Sequence, residues 1–252
     1  MKKLIIFLGI FLFANNYVIN LIGKQEYENY APLLKFDNNL TLKESVKKLE
    51  NLGLINLFFD KPQIINTEFV FENNNPILEA KILYKTLNLM GYYYFYPSKL
   101  IYQNNKYTVD IEMKTNHYIN PLILINTIEN YGCRVVNIIK KDKYYYFIDA
   151  QNAKLPAIKL NKEEKKYINA KGEYWVTPNG FKKMSIVSSK LDNWYPYIVF
   201  YDKNLNILNI IAYKKVCRFL SLNIPEYTVY IKIKDNFSKI NFKRGILIKG
   251  LK

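Results

Sequence analysis

Trp175 and Trp194 are the only two tryptophans in a chain of 252 residues, and tyrosines flank both: Tyr174 beside the first, Tyr195 and Tyr197 after the second. Flat aromatic side chains in a strand-rich segment can stack on sugar rings, and they can equally fill a core. Trp194 opens a Trp-Tyr-Pro-Tyr run directly after Leu191-Asp192-Asn193, which predicts a half-exposed position at a strand entrance. Lys182, Lys183, Lys214, Lys215 and Arg218 lie in the same third of the chain and could offer cations to an anionic ligand. The expected contact set is therefore Trp175, Trp194, Tyr195, Tyr197 and these five basic residues.

Catalytic chemistry finds no comparable set. The sequence contains no nucleophile elbow, no phosphate-binding glycine loop, no zinc-protease motif and no Cys/His cluster at metal spacing. Hydrolysis of a glycoside needs two carboxylates facing one cleft, and nothing in the order of residues pairs any. The single histidine, His117, has no evident partner, so neither Cys133 nor Cys217 reads as an activated nucleophile. The expectation is a binding protein rather than an enzyme, with no cofactor and no metal.

Charge is distributed unevenly. Residues 151–252 hold 20 Lys and Arg against 7 Asp and Glu, whereas residues 15–150 are nearly balanced, with 15 against 14. Such asymmetry points to an anionic surface or polymer, unless the lysines merely decorate solvent-facing strand positions.

The start of the chain sets an address. Lys2 and Lys3 precede an unbroken apolar run from Leu4 to Phe13, and Ala14 follows as a small residue at a cleavage point. This is the pattern of a secretory signal peptide over 1–14. The alternative is an uncleaved anchor reaching Leu21-Ile22, which would place Asn15, Asn16 and Asn20 in hydrocarbon. Export to the periplasm, or secretion, argues against nucleic acid. It favours a protein partner in the bacterial envelope, or an anionic glycan or lipid-headgroup surface, with no stable membrane span after processing. In that compartment Cys133 and Cys217 could pair, or both could remain buried thiols. Asp37-Asn38-Asn39-Leu40-Thr41 matches an acidic-residue-extended glycosylation acceptor, with Asn39 as the site; Thr41 also heads a helix capping box with Glu44.

The elements that must position these residues divide the chain in two, giving an α+β fold. After a polar, irregular stretch over 23–38, Leu42, Val46, Leu49 and Leu52 recur at helical spacing. From Phe69 to Ala150 a strand–helix–strand pattern occurs twice. Asn75-Pro76 and Asn120-Pro121 open the helices, Gly91 and Gly132 close them, and Tyr92–Phe95 reads as a strand. The expected N-terminal domain, 15–150, is a β-α-β-β-α-β-like layer of helices on a mostly antiparallel sheet. Its element order resembles the small periplasmic modules of secretins and outer-membrane assembly factors, a resemblance of fold; being nearly neutral and without reactive groups, the region reads as a docking platform. Residues 151–171, polar and carrying Lys162-Glu163-Glu164-Lys165-Lys166, read as a linker. From Gly172 onward, seven short strand candidates separated by turn residues predict a basic β-sandwich or jelly roll over 172–252. Two functions follow as expectations: a scaffold of an envelope assembly, or a glycan- or cell-wall-binding module using the sandwich.

Overall fold

A computed structural model describes residues 16–34, 40–72, 75–169 and 172–251, with the side chains of 31–34 left aside. The proposed signal segment 1–14 and the acceptor Asn39 lie outside the described residues. The chain is a helix-and-strand protein, mostly strand, with three mostly antiparallel sheets. It divides into two compact units, residues 1–155 and 156–252. Among the described residues no helix is long and apolar enough to cross a membrane.

In the first unit, helices α1 (16–22), α2 (Lys24–Leu34), α3 (Leu42–Asn51), α4 (Pro76–Leu89) and α5 (Pro121–Glu129) accompany one five-stranded sheet. The strands are β1 (Phe58–Glu72), β2 (Tyr96–Gln103), β3 (Lys106–His117), β4 (Arg134–Lys140) and β5 (Tyr144–Asp149), in spatial order β2-β3-β1-β5-β4. Side-chain caps start the helices. The Thr41 hydroxyl accepts from the Glu44 amide at 3.3 Å while the Glu44 carboxylate accepts from the Thr41 amide at 2.8 Å. Asn75 accepts from Leu78 and Asn120 from Ile123 in the same way, each ahead of a first-turn proline. After α5 the chain turns at Gly132, whose φ is +74° and where a Cβ would lie 2.2 Å from the Asn152 carbonyl oxygen. Only glycine meets both conditions.

Sheet register decides which side chains enter the core. Ile65, Phe69 and Phe71 on β1 enter the core, with Val70 buried between the last two, while Val109, Ile111 and Met113 on β3 and Tyr144, Tyr146 and Ile148 on β5 alternate with half-buried residues. Parallel pairing places Phe69 opposite Tyr146, and their rings stack at 5.4 Å. The Tyr146 hydroxyl donates to the Ile119 carbonyl at 3.0 Å, so its one polar atom is satisfied inside the core. The outward face carries ions instead. The Lys143 ammonium donates to Asp110 at 2.6 Å and 2.7 Å and to Glu68 at 3.0 Å. Burial alone would lower the Lys143 pKa, but its bonds to Asp110 and Glu68 raise it.

Three sequence expectations need correction in this unit. Tyr92–Phe95 is not a strand; pairing begins at Tyr96, and the two-residue turn Asn104-Asn105, both residues at positive φ, sets the β2–β3 hairpin. The central strand β1 starts at Phe58, eleven residues before the expected Phe69, because pairing with β3 carries it through exposed residues that lack alternation. Residues 24–34 are helical rather than irregular.

The second unit holds two sheets. One has the order β11-β10-β13-β8-β6, built from β6 (Ile158–Asn161), β8 (Glu173–Asn179), β10 (Pro196–Tyr201), β11 (Ile207–Ala212) and β13 (Tyr230–Asp235). The other has the order β12-β9-β14-β7, from β7 (Lys165–Ile168), β9 (Lys183–Ser188), β12 (Phe219–Asn223) and β14 (Ile246–Leu251). Residues of both sheets contribute to a single apolar core, among them Val176, Phe200 and Ile231 from the first and Ile186, Leu222 and Ile248 from the second. The stretch expected to be a linker, 151–171, contributes β6 and β7; Leu160 is fully buried in that core. Strand β13 begins only at Tyr230, since Tyr227, with φ +63°, belongs to the turn before it.

One buried group in the first unit has a measurable consequence. Glu79 is fully buried in the first turn of α4, and neither carboxylate oxygen reaches a hydrogen-bond donor, although the nearby Asn75 amide slightly favours the ionised form. Burial pushes its pKa up to about 7. Glu79 in turn helps push up the buried Cys133 thiol and the Tyr107 phenol, where burial is again the larger cause. The folded chain therefore binds the Glu79 proton more tightly than the unfolded chain, so stability is full below about pH 4.5 and is lost as pH rises to about 7. Glu79→Gln should flatten that slope, so that between about pH 4.5 and pH 8 the variant gains on the parent by about 1–3 kcal/mol. Urea denaturation at a series of pH values measures both effects.

Candidate functional site

Register in the second unit brings three connectors to one end. Pro196 at the start of β10 pairs with Asp235 at the end of β13, and Tyr197 pairs with Ala212 at the end of β11. In the other sheet Phe219 at the start of β12 and Ile246 at the start of β14 pair with Val187 and Ser188 at the end of β9. The connectors 189–195, 213–218 and 236–245 are thereby neighbours. Backbone bonds join them directly: the Cys217 amide donates to the Trp194 carbonyl at 2.8 Å and the Asn236 amide to the Tyr195 carbonyl at 2.8 Å.

Two buried carboxylates hold this end together. Asp235 accepts from the amides of Tyr195 at 2.7 Å and of Phe237 and Ser238 at 2.8 Å each, and from the Asn241 side chain at 3.2 Å. Asp192 accepts from the Arg244 guanidinium at 2.9 Å and from the Arg244 amide at 3.0 Å. The same guanidinium donates to the Leu191 carbonyl at 2.8 Å. Aromatic contacts add to these bonds. Trp194 stacks on Phe242 at 4.9 Å, and Tyr195 meets Phe237 edge-on at 5.0 Å.

What this frame presents to solvent is basic and apolar. Lys190, Lys214, Lys215, Arg218, Lys239 and Lys243 are all exposed, and among the described residues none is paired with an acid. The acids that could neutralise them are engaged elsewhere: Glu164 with Lys166, Glu173 with Lys232, Asp192 with Arg244 and Glu226 with Lys182. Asp202 is filled by Asn204 and Asn206. Between the cations stand exposed side chains, notably Leu191 at 74%, Phe237 at 63% and Ile240 at 72%.

The residues expected from sequence to make contact separate into three groups. Lys214, Lys215 and Arg218 are at this end, and Tyr195 and Tyr197 stand at its rim, half-buried. Lys182 and Lys183 are at the opposite end of β9, about five strand steps or 16 Å away. The tryptophans are the main correction. Trp194 is fully buried in the core, its indole N–H donating to the Lys234 carbonyl at 3.1 Å. Trp175 is 7% exposed on the outer face of its sheet, covered by stacking on Tyr201 at 5.4 Å and by Lys232, whose ammonium lies 5.5 Å from the ring centre. Neither offers an open ring face to a sugar. The Leu191, Phe237 and Ile240 tips were not identifiable in sequence because an isolated apolar residue beside a lysine carries no periodic signal.

Other recesses are less suited to a ligand of that charge. In the first unit a polar recess of about 540 Å³ is lined by Asp110, Glu112, Asp142 and Lys143, and is predominantly acidic, with Lys143 paired to Asp110. A recess of about 450 Å³ in the second unit, between Phe181 and Tyr227, lies at the end carrying Lys182. Cys133 and Cys217 are free thiols. His117 contacts Asn116 at 2.9 Å and Thr115 at 3.2 Å. Among the described residues no three or more His, Cys, Asp or Glu group as metal ligands would.

The architecture makes Asp235 the residue whose loss should disorder the end. Asp235→Ala leaves three backbone amides and the Asn241 side chain without their acceptor, and should cost the second unit about 2–4 kcal/mol. Urea denaturation followed by tryptophan emission would register this, since both tryptophans belong to that unit. No family model matches the chain, and no curated protein matches it.

Proposed function

We propose that this chain is an exported, non-enzymatic binding protein of a bacterial envelope, whose second unit attaches to an anionic surface through the connector end. The supporting observation is the set of six exposed cations, unpaired among the described residues, on three connectors, two of them held by the buried carboxylates and the third, 213–218, by a backbone bond to the first. Unpaired cations on a fixed frame raise the local concentration of anions and lose little freedom on binding. On this reading the second unit is a basic sandwich and the signal segment supplies the address.

The first unit then serves as a β-α-β-β-α-β-like platform for a protein partner. Its edge strand β2 is exposed along all eight residues, Tyr96, Leu100 and Tyr102 among them. An uncovered edge of this kind presents backbone donors and acceptors to an added strand. Glycan recognition by ring stacking receives no support from the buried tryptophans, so the surface is read by charge.

Immobilised dextran sulfate, a polyanion without lipid or protein character, tests the charge reading. The mature chain should be retained at low salt and released as ionic strength rises. The triple variant Lys214→Glu, Lys215→Glu, Arg218→Glu should bind at least about tenfold more weakly, whereas Lys182→Glu with Lys183→Glu, at the other end, should change little. Equal losses in both variants would show that net charge alone, and not this end, drives attachment.

A further inference from the structure

The exposed residues of the connector end have a local order that net charge does not explain. Four cations are each followed directly by an exposed apolar side chain: Lys190 by Leu191, Lys215 by Val216, Arg218 by Phe219 and Lys239 by Ile240. Phe237 adds a fifth apolar side chain at 63% exposure. A solvated basic surface has no need of these, because each exposed apolar group raises the risk of self-association. Rigid anchoring adds to the point. Leu191 is held through its carbonyl by Arg244, Phe237 through its amide by Asp235, and Ile240 through its amide by Ser238.

We infer that the surface bound is an anionic phospholipid bilayer, with Leu191, Phe237 and Ile240 inserting into the headgroup–acyl boundary while the neighbouring cations contact lipid phosphates. This rests on the anionic-surface reading above and names its ligand class. A bilayer offers two layers in a fixed order, anions above and hydrocarbon below, and alternating cation and apolar residues on one rigid end match both. Charge complementarity selects it over a protein partner. A protein face would have to supply six separate acids among apolar pockets, whereas a headgroup plane supplies an anion at every position.

The test uses the mature chain with vesicles of equimolar phosphatidylglycerol and phosphatidylcholine, against vesicles of phosphatidylcholine alone, in a flotation assay. Binding is expected to the anionic vesicles only. The triple variant Leu191→Ser, Phe237→Ser, Ile240→Ser alters exposed side chains, and an unchanged thermal melt would establish that it folds. It should bind anionic vesicles about tenfold more weakly yet stay on dextran sulfate as the parent does. Equal vesicle binding by parent and variant would overturn insertion, leaving attachment by charge. Retention on dextran sulfate with no vesicle binding would overturn the lipid inference and leave the anionic-surface reading standing. Failure to bind either material would overturn both.

Discussion

The carboxylate of Asp235 is the point on which the connector end depends. It is 6% exposed and satisfies four donors, three of them backbone amides from two different connectors. A buried carboxylate is tolerated only where hydrogen bonds replace its lost water, and a neutral side chain could not accept so many. The bonds fix the chain path on both sides of the residue. Upstream in sequence they seat Tyr195, and so place Trp194 against Phe242. Downstream they start the turn that leads into the 3-10 helix at Lys239–Phe242.

Ion pairing separates the two units in a way that composition alone only hints at. In the first unit cations find acids: Lys143 with Glu68 and Asp110, Lys106 with Glu72, Arg134 with Asp149 and Lys43 with Glu129. Most of these pairs are at the surface and add little stability, but they cancel the local field. In the second unit acids are fewer, and among the described residues the six connector cations Lys190, Lys214, Lys215, Arg218, Lys239 and Lys243 form no ion pair with an acid. A net excess spread over random strand positions would be only a solubility device. Nearly half of it stands on three connectors at one end, which gives the unit a direction.

Much of the strand pattern was legible in sequence, and the reasons for the misreadings are physical. The alternation of Ile231 and Ile233 with Lys232 and Lys234 reports a strand with one buried face, and the structure places those residues accordingly. The two Tyr-Tyr-Tyr-Phe runs are the instructive contrast. At 144–147 the run is a strand because it pairs in parallel with β1 and sends Tyr144 and Tyr146 inward. At 92–95 the same residues follow a helix C-terminus and leave Tyr94 at 94% exposure. Identical composition takes opposite forms because pairing partners lie far away in sequence. Strands β6 and β7 escaped notice for a related reason: each is four residues long, and β7 sits among charges, so only their partners β8 and β14 define them.

Trp194 is fully buried, where sequence predicts a half-exposed position. Its neighbours Asp192 and Asn193 suggested a wet strand entrance, but Asp192 is itself buried and committed to Arg244. With that acid turned inward, the indole follows it, donating to the Lys234 carbonyl and lying parallel to the Phe242 ring within 9°. Phe242 closes the short helix that carries Lys239 and Ile240, so packing against Trp194 sets where those two residues stand. Tyr195, next in the chain, does the same for Phe237 through its edge-on contact. The aromatic run therefore bears on binding from beneath. It fixes the apolar tips and their neighbouring cations at the surface, so that on the proposed reading a bilayer would meet a preformed array, with less freedom lost on attachment.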